Sequence, residues 1–204
     1  MMQTTFTNLA ARYCSNKRLI EQVWSEIEKS YSNPKRAYHT LSHLQQFYNE
    51  LESASELIQN REALLFSLFF HDLVYNPLRR DNEERSNIIA ENRLATLDVP
   101  PALIHTCMAL IMATKAHERS EDNDTNIFTD ADLSILGQPA DVYDAYIAAI
   151  RKEYILYSDL LYKPGRKAVV QHFLSQERIF KTDHFFQKYE QQARQNLQRE
   201  LLNL

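Results

Sequence analysis

The stretch "FSLFFHDLVYNP", Phe66–Pro77, reads as a helix apolar on every side into which His71 and Asp72 have been set. A helix that is apolar all round is a buried one. An ionised carboxylate inside such a core costs several kcal/mol or more unless it is paired, hydrogen-bonded or bound to a metal. The stretch therefore predicts a helical core in which something holds Asp72.

Helical periodicity continues on both sides. Leu19, Ile20, Val23, Trp24, Ile27 and Tyr31 form one apolar face, and Leu41, Leu44, Phe47, Tyr48 and Leu51 form another from a start near Thr40. The central helix is expected from about Arg61 to Tyr75, before Asn76-Pro77. Asp81 and Glu84 have capping-box spacing and open a helix through Leu97; Pro101 opens the next, which fades near Lys115. The polar run "HERSEDNDTN" has no periodicity and is expected to be a loop that could act as a lid. A short helix is expected over Asp132–Leu136. A long one then runs from Pro139 to a break at Pro164-Gly165, followed by helices from Arg166 to about Gln176 and from Asp183 onward. In the last of these, Phe186, Tyr189, Ala193, Leu197 and Leu201 are expected to face inward. The chain reads as one all-α domain.

Composition agrees. Only two glycines in 204 residues leave little material for the tight turns of sheet proteins. The net charge of −4 offers no basic stripe for a nucleic-acid polymer and no polybasic membrane patch. No apolar run approaches the roughly 20 residues that span a bilayer. The N-terminal residues lack the apolar centre of a secretory signal. Cys14 and Cys107 are too few and too isolated for a disulfide framework or a zinc finger. A cytoplasmic location with reduced thiols is expected, with no membrane partner.

Within "YHTLSHL", His39 and His43 stand four residues apart and share a face if the helix includes both. His71 and Asp72 can converge on an ion lying between them, and "FTDADLSILG" adds Asp130 and Asp132. Taken singly, each group has a plainer reading: surface histidines, a buried His-Asp hydrogen bond, a helix N-cap. Taken together, imidazole and carboxylate donors suit a divalent metal that keeps open positions.

The order H, then HD, then D on an all-helical chain resembles the HD superfamily of metal-dependent phosphohydrolases, over roughly Tyr38 to Pro139. The rest, residues 140–204, is expected as helices packing on that core. "YHTLSH" is similar to the YHN-x-x-H element of the cyclic-nucleotide phosphodiesterase branch, which implies His39 as proton donor and His43 as ligand. "TDADLSILGQP" is similar to the segment carrying that branch's last ligand, which selects Asp132 over Asp130. "FFHDLVYNP", "DNEERS", "IMATKAH" and "DADLSILG" together resemble a small bacterial group of HD hydrolases. Where the 5′-nucleotidase branch has a catalytic Glu, this chain has Tyr75, a candidate substrate contact; Glu83 or Glu84 could fill the catalytic role.

The resemblance implies a metal (Mn, Mg, Fe, Ni, Co or Zn) held by His43, His71, Asp72 and Asp132. Such an ion lowers the pKa of water and polarises a phosphoryl oxygen. Asp72 would thus serve both as ligand and in catalysis, and His39 or His117 would protonate the leaving oxygen. Lys115 and Arg166 could clamp the phosphate of a small phosphorylated, nucleotide-like substrate. Two other readings stand beside this one. A di-iron oxygenase of the same fold would need extra ligands, for which only His105 and His117 are available, and His105 reads as a core histidine. The third is a non-catalytic metal or nucleotide sensor. A homo-oligomer is compatible with all three.

Overall fold

The computed structural model describes all residues, 1–204, as helices and connections without a strand. The helices are α1 (Met2–Ala10), α2 (Lys17–Tyr31), α3 (Leu41–Ser53), α4 (Arg61–Phe70), α5 (Asn82–Thr96), α6 (Pro101–Ala113), α7 (Asn123–Leu133), α8 (Ala140–Glu153), α9 (Asp159–Ser175) and α10 (Asp183–Leu201). Single 3₁₀ turns cover Ser55–Leu57 and Ser134–Gly137. No helix is long and apolar enough to cross a membrane. The chain divides into two compact units, Met1–Thr129 and Asp130–Leu204.

The first unit is built around α4, whose residues Ala63 to Phe70 are all buried. It packs against α1, α3, α5 and α6. α1 carries no strong sequence signal, being short and rich in threonine, yet it folds as a helix. Phe6 inserts fully buried between Trp24 and Phe69, at ring-centroid distances of 6.0 and 5.2 Å. Tertiary packing outweighs weak propensity here.

α4 stops at Phe70, five residues short of the expected Tyr75, because side chains take over the backbone partners that another turn would have used. The Asp72 N–H donates to the Tyr31 hydroxyl (3.2 Å), and Arg36 donates to the Asp72 and Leu73 carbonyls (both 2.8 Å). The Val74 N–H goes to Ser86 Oγ (3.0 Å). The expected lid is a loop over residues 117–122, and its last four residues are the first turn of α7. Asp122 Oδ2 accepts from the N–H and hydroxyl of Thr125, and the Asp124 carboxylate accepts from the N–H groups of Gln59 (2.9 Å) and Asn60 (2.6 Å). α7 therefore starts at Asn123 and takes in Asp132 and Leu133 of the short helix expected over Asp132–Leu136, whose remaining residues lie in the 3₁₀ turn Ser134–Gly137. The Asp81–Glu84 capping box does not form, because Arg79 binds Asp81 and Lys115 binds Glu84.

In the second unit α10 packs against the 3₁₀ turn Ser134–Gly137 and against α9. A Cβ on Gly137 would lie 2.5 Å from Tyr189 Cβ, so glycine is required by close approach. Asn196 donates to the Leu136 and Gln138 carbonyls at 2.9 and 2.8 Å. Phe185, not Phe186, is the fully buried aromatic at the start of α10, and Leu201 is half-buried. The expected break moves as well. The chain leaves helix at Tyr154–Ser158, while Pro164 and Gly165 lie inside α9. Pro164 is exposed, so the carbonyl it leaves unbonded one turn earlier, on exposed Leu160, faces water.

Cys107 is completely buried and its thiol contacts the Ala63 carbonyl at 3.5 Å; burial pushes its pKa up to about 12. A thiol that resists ionisation only when folded leaves stability intact below about pH 9. Between about 9 and 12 the unfolded chain ionises first, and stability is lost. Urea unfolding at stepped pH should show a steeper alkaline decline in the wild type than in Cys107→Ala, by up to about 1.4 kcal/mol per pH unit. Equal slopes would contradict this assignment.

Candidate metal centre

Three helices bring the donors together. α3 starts at Leu41 after Thr40, so His39 precedes the helix and does not share a helical face with His43. His43, inside α3, and His71, at the end of α4, are both buried, and their Nε2 atoms lie 3.2 Å apart. His71 Nδ1 lies 2.9 Å from the Leu68 carbonyl. A carbonyl only accepts, so that bond assigns the proton to Nδ1 and leaves the Nε2 lone pair facing inward. Asp72 Oδ2 is 3.1 Å from the same Nε2. Asp132 rides on α7, an unbroken helix that begins in the first unit. One ligand atom each from His43, His71 and Asp132 lie within 4.8 Å of one another. Asp72 sits beside His71 but is not part of that mutually close set.

The donor chemistry fits a divalent cation. With His71 Nδ1 committed to a carbonyl, the neutral imidazole directs a lone pair at a carboxylate oxygen and at a second imidazole. That lone pair and the carboxylate oxygen repel unless a proton or a cation lies between them. The hydrogen bond to Leu68 is also the kind of outer contact that orients a ligating histidine.

The other sequence candidates fall in different places. His39 is half-buried, with Nε2 3.7 Å from Asp72 Oδ2, and its ring stacks on Tyr75 at 3.9 Å between centroids. Glu83 is half-buried; burial raises its carboxyl above the usual range, and the charge of Asp72 adds to the effect. Glu84 is distinguished from it by binding Lys115, whose ammonium lowers the Glu84 carboxyl and also donates to the Arg80 carbonyl at 3.1 Å. His117 follows α6 in a left-handed conformation with φ of 52°. His105 is exposed on α6 rather than part of the core. Arg166 is neither solvated nor open to a ligand. Its guanidinium is buried and binds Glu200 through two bonds of 2.7 and 3.0 Å, with Tyr146 Oη at 3.2 Å. Asp130 is structural, accepting from the N–H groups of Lys181 (2.9 Å) and Thr182 (2.8 Å) at the start of α10. The buried Lys181 ammonium stands 3.5 Å from Asp130; burial lowers its pKa, and the charges of Asp130, Asp132 and Glu190 oppose that.

Sequence reasoning missed Arg36. Its guanidinium ties the His39 carbonyl (3.3 Å) to those of Asp72 and Leu73, and lies 5.0 Å over the Tyr31 ring and 5.7 Å from that of Tyr75. One side chain thus fixes the loop bearing His39 to the turn bearing Asp72. The only signal was its place three residues before His39, in a stretch that otherwise reads as a polar turn.

Comparison with known proteins gives no relative: no family model matches the chain, and no curated protein or solved structure is significantly similar to it.

Arg36 acts as a fork, which lysine cannot reproduce. Arg36→Met should lower the unfolding free energy by about 2–4 kcal/mol, from two or more charge-assisted bonds lost. Arg36→Lys should recover less than half of that in urea unfolding. Full recovery by lysine would mean that a point charge is sufficient.

Proposed function

We propose that the protein is a metal-dependent phosphohydrolase of the HD type, acting on a small phosphorylated compound. The observation that carries this reading is the mutual approach of His43, His71 and Asp132 within 4.8 Å, with Asp72 against His71. These residues would hold a divalent ion, which when bound supplies Lewis acidity to a phosphoryl oxygen and to water.

The chain's own residues take the remaining roles. His71 is fixed in one tautomer by Leu68, so its Nε2 is available as a donor atom. His39 stands at the Asp72 side of the cluster with its ring held by Tyr75, within reach of an ester oxygen bound there, and can hand it a proton from Nε2. Tyr75 serves to orient that acid as well as to contact substrate. Glu83, raised by burial and by Asp72, is better suited than Glu84 to exchange a proton with an attacking water, because Glu84 is occupied by Lys115. Lys115 remains exposed enough to meet a phosphate, with a side-chain exposure of 41%. Arg166 is given no role, because Glu200 already uses its fork.

A panel of phosphate mono- and diesters with Mn²⁺, Mg²⁺, Ni²⁺ or Co²⁺ tests the reading. Turnover should appear with at least one ion. His39→Ala should keep bound metal and lose about 10²–10⁴-fold in rate, whereas His71→Ala should lose both. Metal binding without turnover of any ester would favour a sensor. Two irons per chain with oxygen consumption would favour the oxygenase.

A further inference from the structure

In the second unit, the corner between α8 and α9 exposes an unusual amount of aliphatic surface. Ile155, Leu156, Leu160 and Leu161 are 71, 75, 84 and 65% exposed, within seven consecutive residues. Leucines scattered singly over a surface need no explanation, but four on one corner do.

The corner is braced. Arg151 donates to the carbonyls of Tyr154 (3.0 Å) and Tyr157 (3.1 Å) and to Asp159 Oδ1 (2.7 Å), with its guanidinium 4.8 Å from the centroid of the Tyr162 ring. The exposed side chains are thus presented on a fixed turn, which lowers the ordering cost of docking.

The surrounding charge indicates what docks. Lys152, Lys163 and Lys167 are exposed and engaged in no ion pair. Leu160, Lys163 and Lys167 follow i, i+3, i+7 spacing and so share one stripe of α9. Two carboxylates lie in the same segment: Glu153 is buried, and Asp159 is bound by Arg151. The corner therefore offers aliphatic side chains flanked by uncompensated positive charge.

A second copy of the chain fits this poorly. Two such corners facing each other would oppose lysine to lysine. The patch, on the order of 500 Å², also falls within the range of single functional patches. It is short of the ~800 Å² that each partner contributes to a stable dimer.

We propose that this corner docks on an anionic lipid surface, with Ile155, Leu156, Leu160 and Leu161 entering the headgroup–acyl boundary and the lysines meeting lipid phosphates. Attachment is peripheral and reversible, as expected for a few aliphatic side chains and a small basic cluster. The lysines are spread over sixteen residues and form no run in the sequence. Lys163 and Lys167 share the α9 stripe with Leu160, and Lys152 lies in the last turn of α8 before the exposed corner, so no basic run marks a membrane partner in the sequence.

Co-sedimentation of the full chain with phosphatidylcholine vesicles, with and without phosphatidylserine, tests this. Binding should be stronger by about tenfold or more on the serine-containing vesicles, and high salt should remove most of that gain. Leu156→Glu with Leu160→Glu should abolish it. The triple change of Lys152, Lys163 and Lys167 to Gln should reduce it to the phosphatidylcholine level. All five positions are exposed, so melting temperatures should be unchanged, and a variant with a lowered melt is replaced by the other set. Absence of binding to anionic vesicles overturns the proposal. So does a wild-type dimer in light scattering that Leu156→Glu dissociates, which would assign the corner to a second copy.

Discussion

The hydrogen bond between His71 Nδ1 and the Leu68 carbonyl fixes what the centre of the first unit can be. It lies one turn back along the fully buried helix that organises that unit, so the imidazole is oriented by the core itself. With its proton committed there, Nε2 presents its lone pair to His43 Nε2 at 3.2 Å and to the Asp72 carboxylate at 3.1 Å. A buried arrangement of that kind is costly unless a proton or a cation occupies it. The apolar helix around "HD" is thus what makes the pair rigid, and the pair is what makes the end of the helix chemically distinctive.

Around this point the structure replaces backbone partners with side chains. Tyr31, Arg36 and Ser86 take up the groups from Asp72 to Val74 that one more turn of α4 would have satisfied. The same device recurs in the second unit, where Arg151 gathers the Tyr154 and Tyr157 carbonyls and ends α8. In both places a guanidinium fork decides where a helix stops. In both, the turn it creates presents the residues of interest: Asp72 in one case, four exposed aliphatic side chains in the other.

Much of this was legible in the sequence. Apolar periodicity gives α2, α3, α6 and α10 with small boundary errors, and the His and Asp residues mark the candidate donors, although only the resemblance selected Asp132 over Asp130 and it added Asp72 to the three that come together. What could not be read depends on long-range partners. α4 looks longer than it is because Arg36, Tyr31 and Ser86 are remote in sequence from Asp72. The start of α7 looks like a loop because its residues are polar, and the Asp124 carboxylate that anchors it accepts from the N–H groups of Gln59 and Asn60, remote in sequence. Arg166 looks like a phosphate clamp because Glu200, thirty-four residues away, does not announce itself. Pro164-Gly165 looks like a helix end because exposure, which makes the pair tolerable inside α9, is a tertiary property.

The central claim is that His43, His71 and Asp132 hold one divalent ion. The most direct measurement is an anomalous diffraction map of crystals grown with Mn²⁺. It should show one peak about 2.0–2.4 Å from His43 Nε2, His71 Nε2 and an Asp132 carboxylate oxygen. A peak on other residues, or none there at saturating metal while His43 and His71 remain in direct contact, would contradict it.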